Sequence, residues 1–139
     1  MALERTLCII KPDACESKRT GHIISRILDE GFKILGMTQV QMTLKQAQGF
    51  YEVHRERPFF ASLCEFMSRG PVVVIALERE NAVAHWRTVI GATDPAKAEP
   101  NTIRKLYAKS MSENSVHGSD SVENGARECA YFFPEFQLR

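Results

Sequence analysis

The chemistry open to this chain gathers around one histidine. His117 follows the apolar Val116 and precedes Gly118-Ser-Asp-Ser121, a run of small and polar residues. A glycine directly after it removes a side chain that would block a bulky ligand from the imidazole. Ser119 offers a hydroxyl nearby, and a helix opening at about Ser121 presents free N–H groups. Imidazole is neutral over much of the physiological range, so a ring nitrogen can act as a nucleophile without a separate base. Such a nucleophile needs a partner on its other nitrogen, to fix the tautomer and balance the charge that phosphorylation creates. Glu128, on the following helix, is the candidate. The same pattern also suits an ordinary histidine ending a strand before a capped turn. His22, His54 and His85 sit in amphipathic helical stretches beside charged residues, at no metal-binding spacing, and read as surface or packing histidines.

Nothing in the chain has the form G-x-x-x-x-G-K-[ST] or G-x-G-x-x-G. Phosphates would therefore have to be gripped by side chains. Lys11, Arg87 and Arg104 are the candidates, since guanidinium forks match phosphate oxygens in pairs and lysine supplies a mobile charge. Each taken singly also reads as an ordinary surface cation. In Phe59-Phe60 adjacent helical side chains point about 100° apart, so one can face the core while the other forms a platform for a base. Core packing is the plainer reading of the pair.

The elements that must position these residues are legible from periodicity. Thr6 to Ile10 reads as a buried strand stopped by Pro12, and 21–31 as a helix with Gly31 as its C-cap. Residues 32–42 alternate as a strand. Thr43 caps a short helix that continues through His54, and Pro58 opens another with Leu63, Phe66 and Met67 on its apolar side. Val72 to Leu77 is an unambiguous strand, and Asn81 to Ile90 a helix. From 91 to 112 runs a stretch without a strong period, long for a loop and so expected to be functional. Residues 114–117 form a fourth strand, and Asp120-Ser-Val-Glu123 has the form of a capping box opening a helix to about Phe132. Strands interleaved with helices in this order predict an α/β (α+β) ferredoxin-like sandwich, a four-stranded, mainly antiparallel sheet covered by helices.

A chain of 139 residues suits one domain spanning 1–139. Eighteen basic against seventeen acidic residues leave a net charge of +1, which gives no global field to attract nucleic acid or an anionic membrane. No apolar stretch approaches the roughly 18 residues of a membrane span. The N-terminus lacks the basic start and apolar run of a signal peptide, and the four cysteines show no C-x-x-C pair. Reduced thiols in a cytoplasmic protein are expected.

With these residues in view, Asn114-Ser-Val-His-Gly-Ser-Asp-Ser121 resembles the active-site signature of nucleoside diphosphate kinases, N-x-x-H-G-S-D-S. The similarity covers nearly the whole chain. Glu4-Arg-Thr-Leu7 with Ile9-Ile-Lys-Pro-Asp-Ala14, Phe50-Tyr51 with His54 and Arg57-Pro-Phe-Phe60, Gly91-Ala-Thr-Asp-Pro95 and Thr102-Ile-Arg104 resemble the family's other blocks, in order. The resemblance implies a ping-pong transfer of the γ-phosphate from ATP and other nucleoside triphosphates to diphosphates, with His117 as the phosphorylated nucleophile. Ser119 and Glu128 would orient the ring and stabilise its charge. It also implies nucleotide contacts at Lys11, Tyr51, Phe59, Leu63, Arg87, Thr93, Arg104, Met111 and Asn114. Of these, Arg87, Thr93 and Arg104 match phosphate contacts, and Lys11 and Asn114 match positions touching the sugar. Phe59 matches the stacking platform, with Leu63 and Met111 completing an apolar slot. Mg²⁺ would arrive on the nucleotide phosphates and not in a protein cage. A homo-oligomer is implied, a hexamer or a tetramer built from dimers. The chain departs from the family's pattern at Arg69, where the family carries serine, and at Asn101, Lys105 and Leu106 in the long loop.

The alternative is a non-catalytic nucleotide- or RNA-binding ferredoxin-like module. Modules of that kind display two or three aromatics on the sheet within a basic surface, which these strands lack.

Overall fold

In the computed structural model, which describes residues 2–139, four strands form one sheet: β1 (Leu3–Ile10), β2 (Lys33–Val40), β3 (Val72–Glu80) and β4 (Val116–His117). The spatial order is β2-β3-β1-β4 and every pairing is antiparallel, as the ferredoxin-like expectation requires. The continuous run Val72-Val-Val-Ile-Ala-Leu77 is buried along its length, because β3 lies inside the sheet with both faces covered.

Successive strand residues point to opposite faces, and the core divides accordingly. Cys8, Ile10, Val73, Ile75 and Leu77 pack against helices α2 (Thr20–Asp29) and α5 (Ala82–Ile90) through Ile23, Ile27, Trp86, Val89 and Ile90. Leu7, Ile9, Val72, Val74 and Ala76 face α3 (Leu44–Phe50), α4 (Phe60–Ser68) and α7 (Val122–Phe132) through Phe50, Cys64, Met67 and Cys129. The four cysteines are unbridged. Among the described residues no helix is long and apolar enough to cross a membrane.

Several boundaries differ from the sequence expectation. Pro12 does not merely stop β1; it starts a one-turn helix, α1 (Pro12–Glu16), a position where its missing N–H costs nothing. The helix capped by Thr43 ends at Phe50 and passes into a 3₁₀ turn at Glu52–His54. The 91–112 stretch is not structureless: a 3₁₀ turn at Pro95–Lys97 and a short helix α6 (Ile103–Tyr107) lie within it, each capped by a side chain, Asp94 and Thr102. The expected Asp120–Glu123 box does not form. Ser121 caps α7 instead, accepting from the Asn124 N–H, while Asp120 accepts from the Asn124 amide.

Candidate active site

β4 and α7 bring His117, Ser119 and Glu128 together. His117 Nε2 lies 2.8 Å from Glu128 Oε1, and the Ser119 hydroxyl donates to the same oxygen at 2.6 Å. Ser119 is fixed in turn by β1: its Oγ accepts from the Leu7 N–H at 3.0 Å, and its own N–H donates to Thr6 Oγ1 at 3.2 Å. Ser119 therefore acts on the ring through the carboxylate, not directly. Neither Thr6 nor Leu7 carries a sequence signal for this role.

The electrostatics favour a neutral ring facing an ionised acid. Burial holds His117 below the ordinary imidazole range, with Lys11 and Arg104 adding to the effect and Glu128 opposing it. Burial would raise Glu128, but the hydrogen bonds from His117 and Ser119 outweigh it and keep the carboxyl below its ordinary range. The ring proton then belongs on Nε2, donated to Glu128, and Nδ1 keeps its lone pair. Among the described residues Nδ1 has no hydrogen-bond partner, and the side chain remains 16% exposed. Phe50 stands edge-on to the ring, with centroids 5.6 Å apart, and Tyr51 does so at 6.5 Å. The Tyr51 hydroxyl is buried and has no hydrogen-bond partner among the described residues, an unused donor near the imidazole.

Gly118 has a different purpose from the one its position suggested. A Cβ there would come within 2.9 Å of Trp86 Cδ1 and 3.1 Å of Ile90 Cδ1. The glycine admits Trp86, and it is this packing, not ligand access, that excludes a side chain.

Ahead of β4 the chain makes a tight reversal. Ser115 has φ of 74°, and the Val116 N–H donates to the Asn114 carbonyl at 2.9 Å, a classic-handed γ-turn. Such backbone costs about 1–3 kcal/mol and persists only when its surroundings hold it. Here Asp13 Oδ2 accepts from the Ser115 N–H at 3.0 Å, and the Lys11 N–H donates to the Ser115 carbonyl at 2.9 Å. α1 and the strand entering it thereby set the approach to His117.

Beside this turn opens a cleft of about 390 Å³ lined by Lys11, Phe59, Leu63, Thr93, Met111 and Asn114, six of the nine expected nucleotide contacts. Ser62, Phe66 and Ser112 complete it; Phe66 had read only as a core residue. Phe59 is 46% exposed, so it is available as a flat face and not spent on the core. Lys11 is 7% exposed, its Nζ donating to Asn114 Oδ1 at 2.8 Å, and burial next to Arg104 lowers its pKa to about 8.

Tyr51, Arg87 and Arg104 lie outside the cleft lining. Arg104 is 6% exposed and donates to three backbone carbonyls, of Asn114, Gly91 and Val116. A guanidinium has five N–H groups, so two remain for a ligand. Burial and the neighbouring Arg87 charge bring its pKa down to about 10. Arg87 is exposed on α5 and has no ion-pair or hydrogen-bond partner among the described residues.

A half-buried histidine with a free ring nitrogen, an ionised acid behind it and a cleft lined by Lys11 is an arrangement suited to carrying phosphate. The family profile described as nucleoside diphosphate kinase matches residues 4–138. The chain belongs to the nucleoside diphosphate kinase family. A nucleoside diphosphate kinase of Trichlorobacter lovleyi is 57% identical over 136 residues, covering 98% of this chain and 99% of that protein. One from Sorangium cellulosum is 56% identical over 99% of this chain and 96% of its own length. Among solved structures, the Aquifex aeolicus nucleoside diphosphate kinase superposes with a TM-score of 0.96 at 43% identity, over 99% of this chain and 100% of that one. The enzyme from Encephalitozoon cuniculi superposes at 0.92 and 32% identity, over 98% of this chain and 92% of that one. As a member of this family the protein is a phosphotransferase acting on nucleotides.

Proposed function

We propose that this nucleoside diphosphate kinase works through His117 Nδ1, within one catalytic domain spanning 1–139. The observation that carries the reading is the orientation of the ring: Nε2 is tied to Glu128 at 2.8 Å while Nδ1 is left free. Nδ1 attacks the γ-phosphorus of a nucleoside triphosphate; the N–P bond forms as the bond to the β-phosphate oxygen breaks. The diphosphate leaves with the electron pair. No proton need move, because Nδ1 attacks as a lone pair and Nε2 keeps its hydrogen. The positive charge that develops on the ring is balanced by the Glu128 carboxylate, which Ser119 holds in place. A second diphosphate then takes the phosphoryl group by the reverse step, in the same cleft.

Arg87, Arg104 and Thr93 hold the phosphates, Lys11 and Asn114 the sugar and its hydroxyls, with the Tyr51 hydroxyl as a further donor. Phe59, Leu63 and Met111 hold the base by its faces, which suits purines and pyrimidines alike. Mg²⁺ would arrive with the nucleotide as part of the substrate and would lessen the phosphate charge that Nδ1 must approach. Family membership is the ground for reading the protein as a homo-oligomer, a tetramer or hexamer built from dimers. A cytoplasmic location accords with the unbridged thiols.

Incubation with γ-labelled ATP and Mg²⁺ tests this directly. One acid-labile, base-stable phosphate per chain is expected, chaseable by a second diphosphate and absent in His117→Ala. Labelling that survives in that variant overturns the assignment.

A further inference from the structure

We propose that Arg69 is a positioning residue that clips together the walls of the nucleotide cleft, and so sets how tightly the nucleoside is held. The inference rests on the cleft being the nucleotide site. Arg69 closes α4, and its guanidinium fork meets the carboxylate of Glu16, with Nε 3.1 Å from Oε2 and one terminal nitrogen 2.7 Å from Oε1. That same terminal nitrogen lies 3.2 Å from Glu113 Oε1. The guanidinium carbon sits 4.8 Å from the centre of the Phe66 ring.

These partners belong to three different segments, two that line the cleft and one that adjoins it. Glu16 ends α1, the helix that begins directly after Lys11. Phe66 lies on α4, which also carries Ser62 and Leu63. Glu113 belongs to the 109–114 turn that supplies Met111, Ser112 and Asn114. One side chain thus ties the α4 wall to the opposing turn and to the helix behind the lysine.

The charges show why the tie matters. Two carboxylates lie within 3.2 Å of one nitrogen; without the cation they confront each other, and the turn is pushed from α1. The end of the cleft at Lys11 and Asn114 has a separate anchor, since Asn114 Oδ1 is held by Lys11 and its amide donates to the Met111 carbonyl. Movement therefore falls on the base slot between α4 and the turn, lined by Phe59 and Leu63. Arg69 makes no hydrogen bond to His117, Ser119 or Glu128, so the phosphoryl-transfer step does not depend on it. All three charged groups are more than a third exposed, which limits the effect to severalfold.

The test is steady-state kinetics on the full chain. Arg69→Ser should raise KM for nucleoside diphosphates about two- to tenfold, the range expected for two exposed ion pairs, with kcat and phosphohistidine stoichiometry unchanged. Arg69→Lys should restore part of the affinity. So should adding Glu16→Gln and Glu113→Gln to Arg69→Ser, by removing the repulsion. General damage to the fold would lower kcat along with affinity and would not respond to the added substitutions. If Arg69→Ser does not fold, Arg69→Lys and Glu113→Gln tested singly should each raise KM about twofold. An unchanged KM, or a raised one that no second substitution reverses, overturns the clip. Failure of the wild-type chain to form phosphohistidine would instead overturn the functional reading itself.

Discussion

Trp86 donates its indole N–H to the backbone carbonyl of His117 across 3.1 Å. It is the only tryptophan in the chain, it is fully buried, and the glycine at 118 exists to admit it. A phosphoryl group on the neighbouring ring changes the local field at that indole. Adding ATP and Mg²⁺ should therefore shift or quench the intrinsic fluorescence, and a diphosphate should reverse the change. His117→Ala should give no such response. A silent tryptophan in a stoichiometrically phosphorylated chain would show that the indole does not sense the ring.

Activity should be bounded on both sides by groups that burial has shifted. His117 titrates below its ordinary value of 6.5, so the ring stays neutral, and kcat/KM should hold, to a pH below that of free imidazole. Lys11, at about 8, loses its charge earlier than an exposed lysine, so KM should climb above that pH. Both groups bind protons more readily in the unfolded chain. Each therefore weakens the fold as pH falls, Lys11 between about 10.5 and 8 and His117 below 6.5. Glu128→Gln removes a carboxylate that raises the His117 pKa, so it should move the acid limb lower still. It should also slow transfer about 10- to 100-fold, the equivalent of one charge-assisted hydrogen bond. An acid limb above 6.5 would contradict the burial of the ring.

What could be read from the sequence followed from repetition. Val72 to Leu77 is a long enough apolar run to declare a strand, the Ile23–Leu28 face repeats often enough to declare a helix, and Thr43 states its own capping chemistry. α1 and α6 have five residues each, too few to show a 3.6-residue period. The site divides in the same way. His117, Glu128, Lys11 and Phe59 stand out by type and position, whereas Leu63, Thr93, Met111 and Asn114 entered only through the family resemblance and Ser62, Phe66 and Ser112 carried no signal. The three carbonyls that engage Arg104 have no residue identity, and the role of Gly118 depends on Trp86, thirty-two positions earlier in the chain. Sequence spacing cannot express either.

The Tyr51 hydroxyl is a buried donor with no acceptor, a state that costs about 1–3 kcal/mol. Burial, with the nearby Glu128 charge, pushes its pKa well above the ordinary phenol range, so it remains a donor at any working pH. A phosphoryl oxygen on Nδ1 would supply the missing acceptor. Tyr51→Phe should therefore stabilise the unliganded chain by about 1 kcal/mol while lowering kcat/KM severalfold. Thermal melts with and without nucleotide would show the two effects separating. A variant that loses both stability and activity would mean the hydroxyl is satisfied in the free protein.

Gly125 sits three residues before Glu128 on α7, where a Cβ would run into the backbone carbonyl of Arg5 on β1. Alanine would favour the helix by about 1 kcal/mol on propensity alone. That gain is small beside the cost of overlapping a rigid backbone, about 1–3 kcal/mol or more, because neither the helix nor the central strand can give way locally. Relief would require lifting α7 off β1, which draws Glu128 away from the ring while Ser119 stays tied to Thr6 and Leu7. Gly125→Ala should therefore lower the thermal midpoint and, in the folded fraction, reduce kcat more than it raises KM. A stabilised and fully active Gly125→Ala would mean that the close approach of α7 to β1 is not what places the carboxylate behind His117.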